Sequence, residues 1–395
     1  MEAILSSLTI TAQVPDSPFV VQRQDTKGRK LVFTLYALIL FCCSIHLYRN
    51  PSYSMDSVQY MGNALLMEER DPAEIHRRVY DGLRRDVPNA ALKGLLGHNA
   101  GAPEDQSESR QERAASSERF AEFFPLFAIR PLYNQTLWVV SKTGIGLVQA
   151  GVAISAGSYF LMGILLFLWT RKYCDMCLTL AMSLLLMISS PLMDLGRETT
   201  SDALATFVAF ASLYLIFETK WLAAGVTLLL ASIYFRTDFV VLAGPVIFAL
   251  WLEGRLDLWK AGALSFVAVA SVMCINHFAG DYGIRMLYYR NFIGVPITPG
   301  EMTIQFSFRN YLAAFRSGVT LMANSFFVPF LLLGTIGLAS RQTRVLFCLA
   351  LTYIALHFLI LPNWQERWVG LFYLSMGVCA AAATGAVRNQ RCDMV

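Results

Sequence analysis

The chain has 395 residues, 55% of them apolar and only 15% charged, and a formal net charge of +4. A soluble protein carries roughly a quarter charged residues, and here the apolar positions are bunched into runs of about 18 to 25, enough to cross hydrocarbon as helices. This excludes a soluble globular enzyme, and it makes the small positive charge a matter of membrane topology, not of nucleic-acid binding.

Residues 1–30 are polar and include Asp16 and Asp25, unlike a cleavable signal peptide. They are read as a cytoplasmic N-terminal segment ahead of a single transmembrane domain, 31–395, of an all-α polytopic membrane protein. Ten spans are predicted, near 31–48, 146–170, 176–193, 202–217, 221–235, 238–252, 261–279, 318–339, 345–361 and 368–387. Charge within "SIYFRTDFVV" leaves a broken hairpin of the fifth and sixth as an alternative. Lys27, Arg29 and Lys30, then Arg171 with Lys172, Lys220, Arg255 with Lys260, Arg341 with Arg344, and Arg388 with Arg391 all fall on one side. That side is expected to be cytoplasmic, with both termini on it and the long loop 49–145 outside.

Within that loop, "DPAEIHRRVYDGLRRDV" spaces Ile75, Val79, Leu83 and Val87 as an amphipathic helix suited to lie on the bilayer. "GHNAGAPEDQSESRQERAASSERF" is polar and nearly free of aromatics, and it reads as a flexible connector. "EFFPLFAIRPLYNQTLWVV", broken by Pro125 and Pro131, reads as a pair of short interfacial helices. The sequon at Asn134 is a three-residue coincidence and carries no weight.

Several chemistries find no foothold. Cys174 and Cys177 form a CxxC with no second pair or histidines beside it, and loop 49–145 contains no cysteine. The five histidines are scattered without metal-ligand spacing, and there is no nucleotide-binding GxxxxGK[ST]. The span interiors are almost free of ionisable residues, which disfavours ion-coupled transport.

Polar chemistry gathers instead at the outer ends of the spans. "MDSVQYMGNA" brings Asp56 with Tyr60 one turn later; "SSPLMDLGRETTSDALATFVAF" brings Asp194, Arg197, Glu198 and Asp202. "YFRTDF" brings Arg236 and Asp238, and "PNWQERW" brings Glu366 and Arg367 between two tryptophans. The bland readings are specific: Asp56 as a helix cap or a topological charge, Ser201 or Asp202 as a cap, Arg236 paired with Asp238. Against them stands an anomaly. Arg197, Arg236, Arg285, Arg290, Arg309, Arg316 and Arg367 all map outside, where basic residues should be few, while every lysine after residue 143 maps inside. Arginine keeps its charge and offers a fork of donors that matches phosphate, so together these residues point to an anion-holding cavity.

In "MDSVQYMGNA" after the first span, "FFPLFAIRPLY" closing the long loop, and "RETTSDALATFVAFASLYLIF" opening a later span, the chain resembles the polytopic glycosyltransferases of the GT-C fold. These include protein O-mannosyltransferases and bacterial aminoarabinose transferases. The likeness is clearest over residues 30–250, and "NWQERWVGLFYLSMG" resembles the family's later arginine segment. The resemblance implies a polyprenyl-phosphate sugar donor, a lipid, glycan or protein acceptor, inverting hexosyl transfer, and a bacterial plasma membrane in preference to the endoplasmic reticulum. It carries the catalytic base over to Asp56. Tyr60, Arg130, Tyr133, Arg197, Glu198, Asp202, Arg236 and Arg367 are the expected substrate-binding residues. Two departures stand out: Ser57 follows Asp56 where many relatives carry a second acid, and no soluble C-terminal domain is expected.

The chemistry needs this residue set and little more. Phosphate leaves as a weakly basic anion and needs charge stabilisation, which arginine supplies. The acceptor hydroxyl must lose its proton as it attacks, which one carboxylate can arrange. A glycosidase would want two paired carboxylates. No cofactor is required, though a divalent cation bridging Asp56 and phosphate is compatible with the scheme. The rival readings are a polymerase or ligase of lipid-linked glycans, whose main outer loop should come late in the chain, and a non-enzymatic lipid-binding or flippase protein.

Overall fold

The computed structural model describes residues 26–98, 104–281, 307–339 and 341–392. Helix α1 (Thr26–Arg49) leads into the helices of the long loop: α2 (Met55–Leu65), α3 (Pro72–Asp86), α4 (Asn89–Leu95), α5 (Glu104–Ala115), α6 (Ser117–Ala121), α7 (Phe124–Ala128) and α8 (Pro131–Ser141). The bundle continues through α9 (Leu147–Thr170), α10 (Met176–Met187), α11 (Ser190–Arg197), α12 (Asp202–Glu218), α13 (Leu222–Phe235) and α14 (Val240–Leu252). It is completed by α15 (Leu258–Phe278), α16 (Phe308–Ala323), α17 (Phe327–Thr335), α18 (Arg341–Ile360) and α19 (Gly370–Cys392). Among the described residues the only extended pairing is an isolated bridge between Ser52 and Glu198.

Four described helices are long and apolar enough to cross a membrane, and six spans result if each of two bent pairs counts as one. The chain thus has the helices of an integral membrane protein. The bent pairs are α10–α11, at 61°, and α16 with the segment Phe327–Leu338, at 66°. Pro191 at the start of α11 explains the first bend, because proline has no N–H to continue the preceding helix but suits a first turn. The helices are apolar nearly all round, yet many side chains face outward: Leu35, Leu38 and Phe41 on α1, and Phe266 and Met273 on α15, are exposed. Such a surface is stable against lipid and not against water. The opposite face of α1 packs on α9, where Tyr36 stacks on Phe167 at 4.6 Å and its hydroxyl donates to the Gly163 carbonyl at 2.8 Å.

The long loop folds into a cap with its own apolar core, distinct from that of the bundle. On α3, Ile75, Val79 and Leu83 are fully buried in that core, and Val87 nearly so, so the stripe that suits a bilayer surface finds its partner inside the protein. Its opposite face carries arginines paired with acids one turn away, such as Arg77 with Glu74 at 2.7 Å. Residues expected to be a flexible connector form α5 and α6 instead. Their composition of Glu, Gln, Arg and Ala favours helix, and tertiary contacts hold them: Arg113 lies over the Phe123 ring at 4.3 Å, and its carbonyl meets the His76 ring at 3.1 Å. Pro125 and Pro131 stand in the first turns of α7 and α8, which accounts for the short helix pair. Asn134 is buried and donates to the Phe127 carbonyl, so its sequon has a structural occupation. Gly62 lets α2 nest against the aromatics of α7, since a Cβ there would stand 2.5 Å from Phe124.

Hydrogen bonds sort the helix termini into two groups. Glu218, ending α12, accepts from Trp169 and Lys172 at the end of α9, and Arg255 donates to the Ile216 carbonyl. The other ends of the same helices meet the cap and carry the site.

Candidate active site

The chain leaving α1 is pinned beside the turn between α11 and α12. The Ser52 N–H donates to the Arg197 carbonyl at 2.8 Å, and the Thr199 N–H donates to the Ser52 carbonyl at 3.2 Å. Gly196 permits this approach: a Cβ there would stand 2.8 Å from Leu47 of α1 and from Tyr159 of α9. Helix α2 then starts immediately, with Ser54 at its N-cap and the Ser57 hydroxyl accepting the Ser54 N–H at 3.2 Å. Capping is thus done by serines, Ser54 and Ser57. Asp56, in the first turn, turns its carboxylate to another partner.

That partner is Arg367, on the short 3-10 turn Glu366–Val369 ahead of α19. Its Nη2 lies 3.1 Å from Asp56 Oδ2, its Nη1 3.1 Å from Glu198 Oε2, and its Nε 3.5 Å from Asp202 Oδ2. Nε also donates to Gln365 Oε1 at 2.9 Å. Asp202 opens α12, where the helix dipole favours an acid, and receives the Thr200 hydroxyl at 2.8 Å. Behind it, Arg236 at the end of α13 reaches Asp202 Oδ1 at 2.8 Å and holds Asp238 with Nε at 3.0 Å and Nη2 at 2.5 Å. His357 Nε2 closes the chain of contacts, 3.1 Å from Asp238 Oδ2. One network therefore runs from α18 to α2 through two guanidiniums.

Within it four carboxylates, of Asp56, Glu198, Asp202 and Asp238, face the two guanidiniums of Arg236 and Arg367. With His357 neutral this is a formal excess of two negative charges. Burial pushes the Glu198 carboxyl above the usual range, and the charges of Asp202 and Asp56 push the same way against the pull of Arg367.

The expected site residues thus divide by position. Asp56, Glu198 and Arg367 meet at the mouth, with side chains 21%, 27% and 16% exposed, whereas Asp202 and Arg236, at 4% and 3%, lie behind them. Arg236 spends its fork on two aspartates, the pairing with Asp238 that its sequence neighbourhood allows. Arg197 is more open and stands 3.6 Å from Asp194. Tyr60 and Tyr133 are buried edge-to-face at 4.8 Å in the core of the cap, and Arg130 donates to the Tyr60 hydroxyl. Burial raises the pKa of Tyr60 more than Arg130 lowers it, so this phenol stays protonated. Arg309 and Arg316 lie on α16, and Arg285 and Arg290 fall outside the described residues.

Two cavities open at this end and meet at Ser54 and Arg367. The first, of 500 Å³, is bounded by Ser52, Asp194, Arg197, Glu198, Gln365 and Glu366. The second, of 410 Å³, is bounded by Tyr53, Met55, Asp56, Ala90, Ala91, Gly94, Leu95 and Arg110. Both have the size of small-molecule sites. Sequence reasoning passed over Gln365, Thr200, His357 and Arg110. Gln365 and Thr200 stand two positions from residues it chose, but His357 and Arg110 meet the site only through tertiary folding and had no spacing to betray them. Among the described residues no group of three His, Cys, Asp or Glu is disposed to hold a metal ion; three of the carboxylates surround the Arg367 guanidinium. No protein-family model, curated protein or solved structure matches this chain.

Proposed function

We propose that this protein is a membrane glycosyltransferase of the GT-C kind, with ten spans and its site on the extracytoplasmic face. It would move a sugar from a polyprenyl-phosphate donor to an acceptor hydroxyl. The observation that carries the reading is the 3.1 Å contact between Asp56 and Arg367, residues 311 positions apart, at the junction of two cavities. A carboxylate from the first loop and an arginine from the last share one mouth, as the transfer chemistry asks.

In this scheme the Asp56 carboxylate takes the hydroxyl proton as the acceptor oxygen bonds to the anomeric carbon. The bond from that carbon to the phosphate oxygen breaks, and its electron pair leaves on the phosphate. Arg367 and Arg197 receive the growing charge. Burial holds the Glu198 carboxyl above the usual range, which weakens its repulsion of the anion, and Arg236 and Asp202 hold Arg367 in position from behind.

The test is Asp56→Asn. The amide keeps the shape and loses the base, so transfer from a labelled donor should fall about 10²- to 10⁴-fold while binding of polyprenyl monophosphate persists. Asp56→Glu should be intermediate. Full transfer by purified Asp56→Asn protein refutes the assignment, and a parent protein that releases no polyprenyl phosphate from a panel of labelled donors refutes the function.

A further inference from the structure

The two cavities differ in what bounds them. The larger one adjoins the lipid-facing surface: Asp194 in its wall directly follows Met193, which lines an apolar groove of 410 Å³ with Leu38, Ile39, Cys42 and His46 of α1. The smaller cavity is walled by residues of α4 and α5, which belong to the cap, together with the start of α2. Asp56 borders this cavity and is absent from the wall of the other.

We infer that the cavity walled by α4 and α5 is the acceptor's compartment, and that Arg110 selects an acceptor bearing an anionic group. The inference rests on the glycosyltransferase reading above. A base must face the hydroxyl it deprotonates, and Asp56 faces this cavity. The α4 wall is made of small residues, Ala90, Ala91 and Gly94, which leave room for a bulky, ring-bearing ligand. Apart from Arg367 at the junction, Arg110 is the cation of this wall. It is half-buried, and its Nη1 is anchored on the Gly94 carbonyl at 3.0 Å, which holds the guanidinium in the wall of the cavity that Asp56 also borders. A planar fork held in place recognises a carboxylate or phosphate two-pronged. The acceptor is then a hydroxyl compound with an anionic substituent, oriented by Arg110 so that its hydroxyl meets Asp56.

The experiment uses the full-length protein in lipid nanodiscs, labelled polyprenyl-phosphate sugar as donor, and a whole cell-envelope extract as the acceptor pool. Arg110→Gln and, separately, Ala90→Phe are compared with the parent, with binding of polyprenyl monophosphate measured in parallel. Both variants should lose about tenfold or more in transfer at low extract concentration, with donor-lipid binding within about twofold of the parent. Concentrating the extract should restore the Arg110→Gln rate, as it does for a loss in acceptor KM, and Arg110→Lys should recover part of the loss. A smaller loss in Arg110→Gln, or weakened polyprenyl monophosphate binding in that variant, overturns the assignment and leaves the transferase reading standing. A parent that binds the donor lipid without turnover overturns both.

Discussion

Replacing Arg236 by methionine separates two roles that the sequence left entangled, phosphate ligand and internal strut. The guanidinium is 3% exposed and contacts Asp202 at 2.8 Å and Asp238 at 2.5 Å, with Asp202 itself 4% exposed. Removing one partner of a buried ion pair leaves an uncompensated charge and costs about 3–5 kcal/mol. The low end applies here, because Asp202 keeps Thr200 and Arg367, and Asp238 keeps His357 at 3.1 Å. About 3 kcal/mol, for a chain of 395 residues, translates into a melting midpoint lowered by roughly 4 °C, read by tryptophan fluorescence of purified protein during heating. Adding Asp238→Asn to Arg236→Met removes one of the stranded charges and should return about 1–2 kcal/mol, a non-additivity that a double-mutant cycle detects. A variant that melts within about 1 °C of the parent, in the range of ordinary surface changes, yet no longer binds polyprenyl monophosphate would refute the strut and restore the ligand.

Glu198→Gln should remove a pH dependence. Folding raises the Glu198 pKa, through burial first, so its contribution to stability is complete below the ordinary carboxylate value and is lost as pH rises through the folded-state value. The variant should therefore gain in melting temperature relative to the parent as pH is raised from acid to neutral, and an unchanged difference across that range counts against a raised pKa. Arg367→Gln should weaken polyprenyl monophosphate binding and lower transfer, with Lys restoring only part because the fork that spans Asp56 and Glu198 is lost; parental binding in the Gln variant would remove this residue from the anion site. In a cysteine-free background, cysteines placed at Ser107 and at Lys220 should react differently with an impermeant thiol reagent on intact cells. Labelling at Lys220 alone would invert the topology.

The repeating spacing of apolar residues carried much of the local structure. Ile75, Val79 and Leu83 announced α3, and Pro125 with Pro131 marked the starts of α7 and α8, because first-turn chemistry is written in adjacent residues. What covers a stripe is not written there, and α3 met the cap's own core where a bilayer served the pattern equally well. The segment read as a connector became α5 and α6 because Arg113 and Phe120 both meet His76, far back along the chain. Span parity placed Asp56, Glu198, Asp202, Arg236 and Arg367 at one end, but parity has no depth. It could not tell that Arg236 would sit behind Asp202, or that acids would surround Arg367 and leave the mouth with more carboxylates than guanidiniums. His357 and Arg110 reach the site from helices with no charge pattern pointing there.

The bond between Asp56 and Arg367 also sets a schedule for biosynthesis. Residue 367 of 395 emerges from the ribosome long after Asp56, Glu198 and Asp202 have been placed at the membrane. Until the last hairpin inserts, three acids stand together without the cation that joins them, and Leu195 and Leu186 wait for the glycines of α19, Gly370 and Gly377, that pack against them. A nascent or truncated chain therefore carries Asp56 without the guanidinium that it meets in the folded protein. Completion of α19 is the event that closes the network, joining residues 311 positions apart.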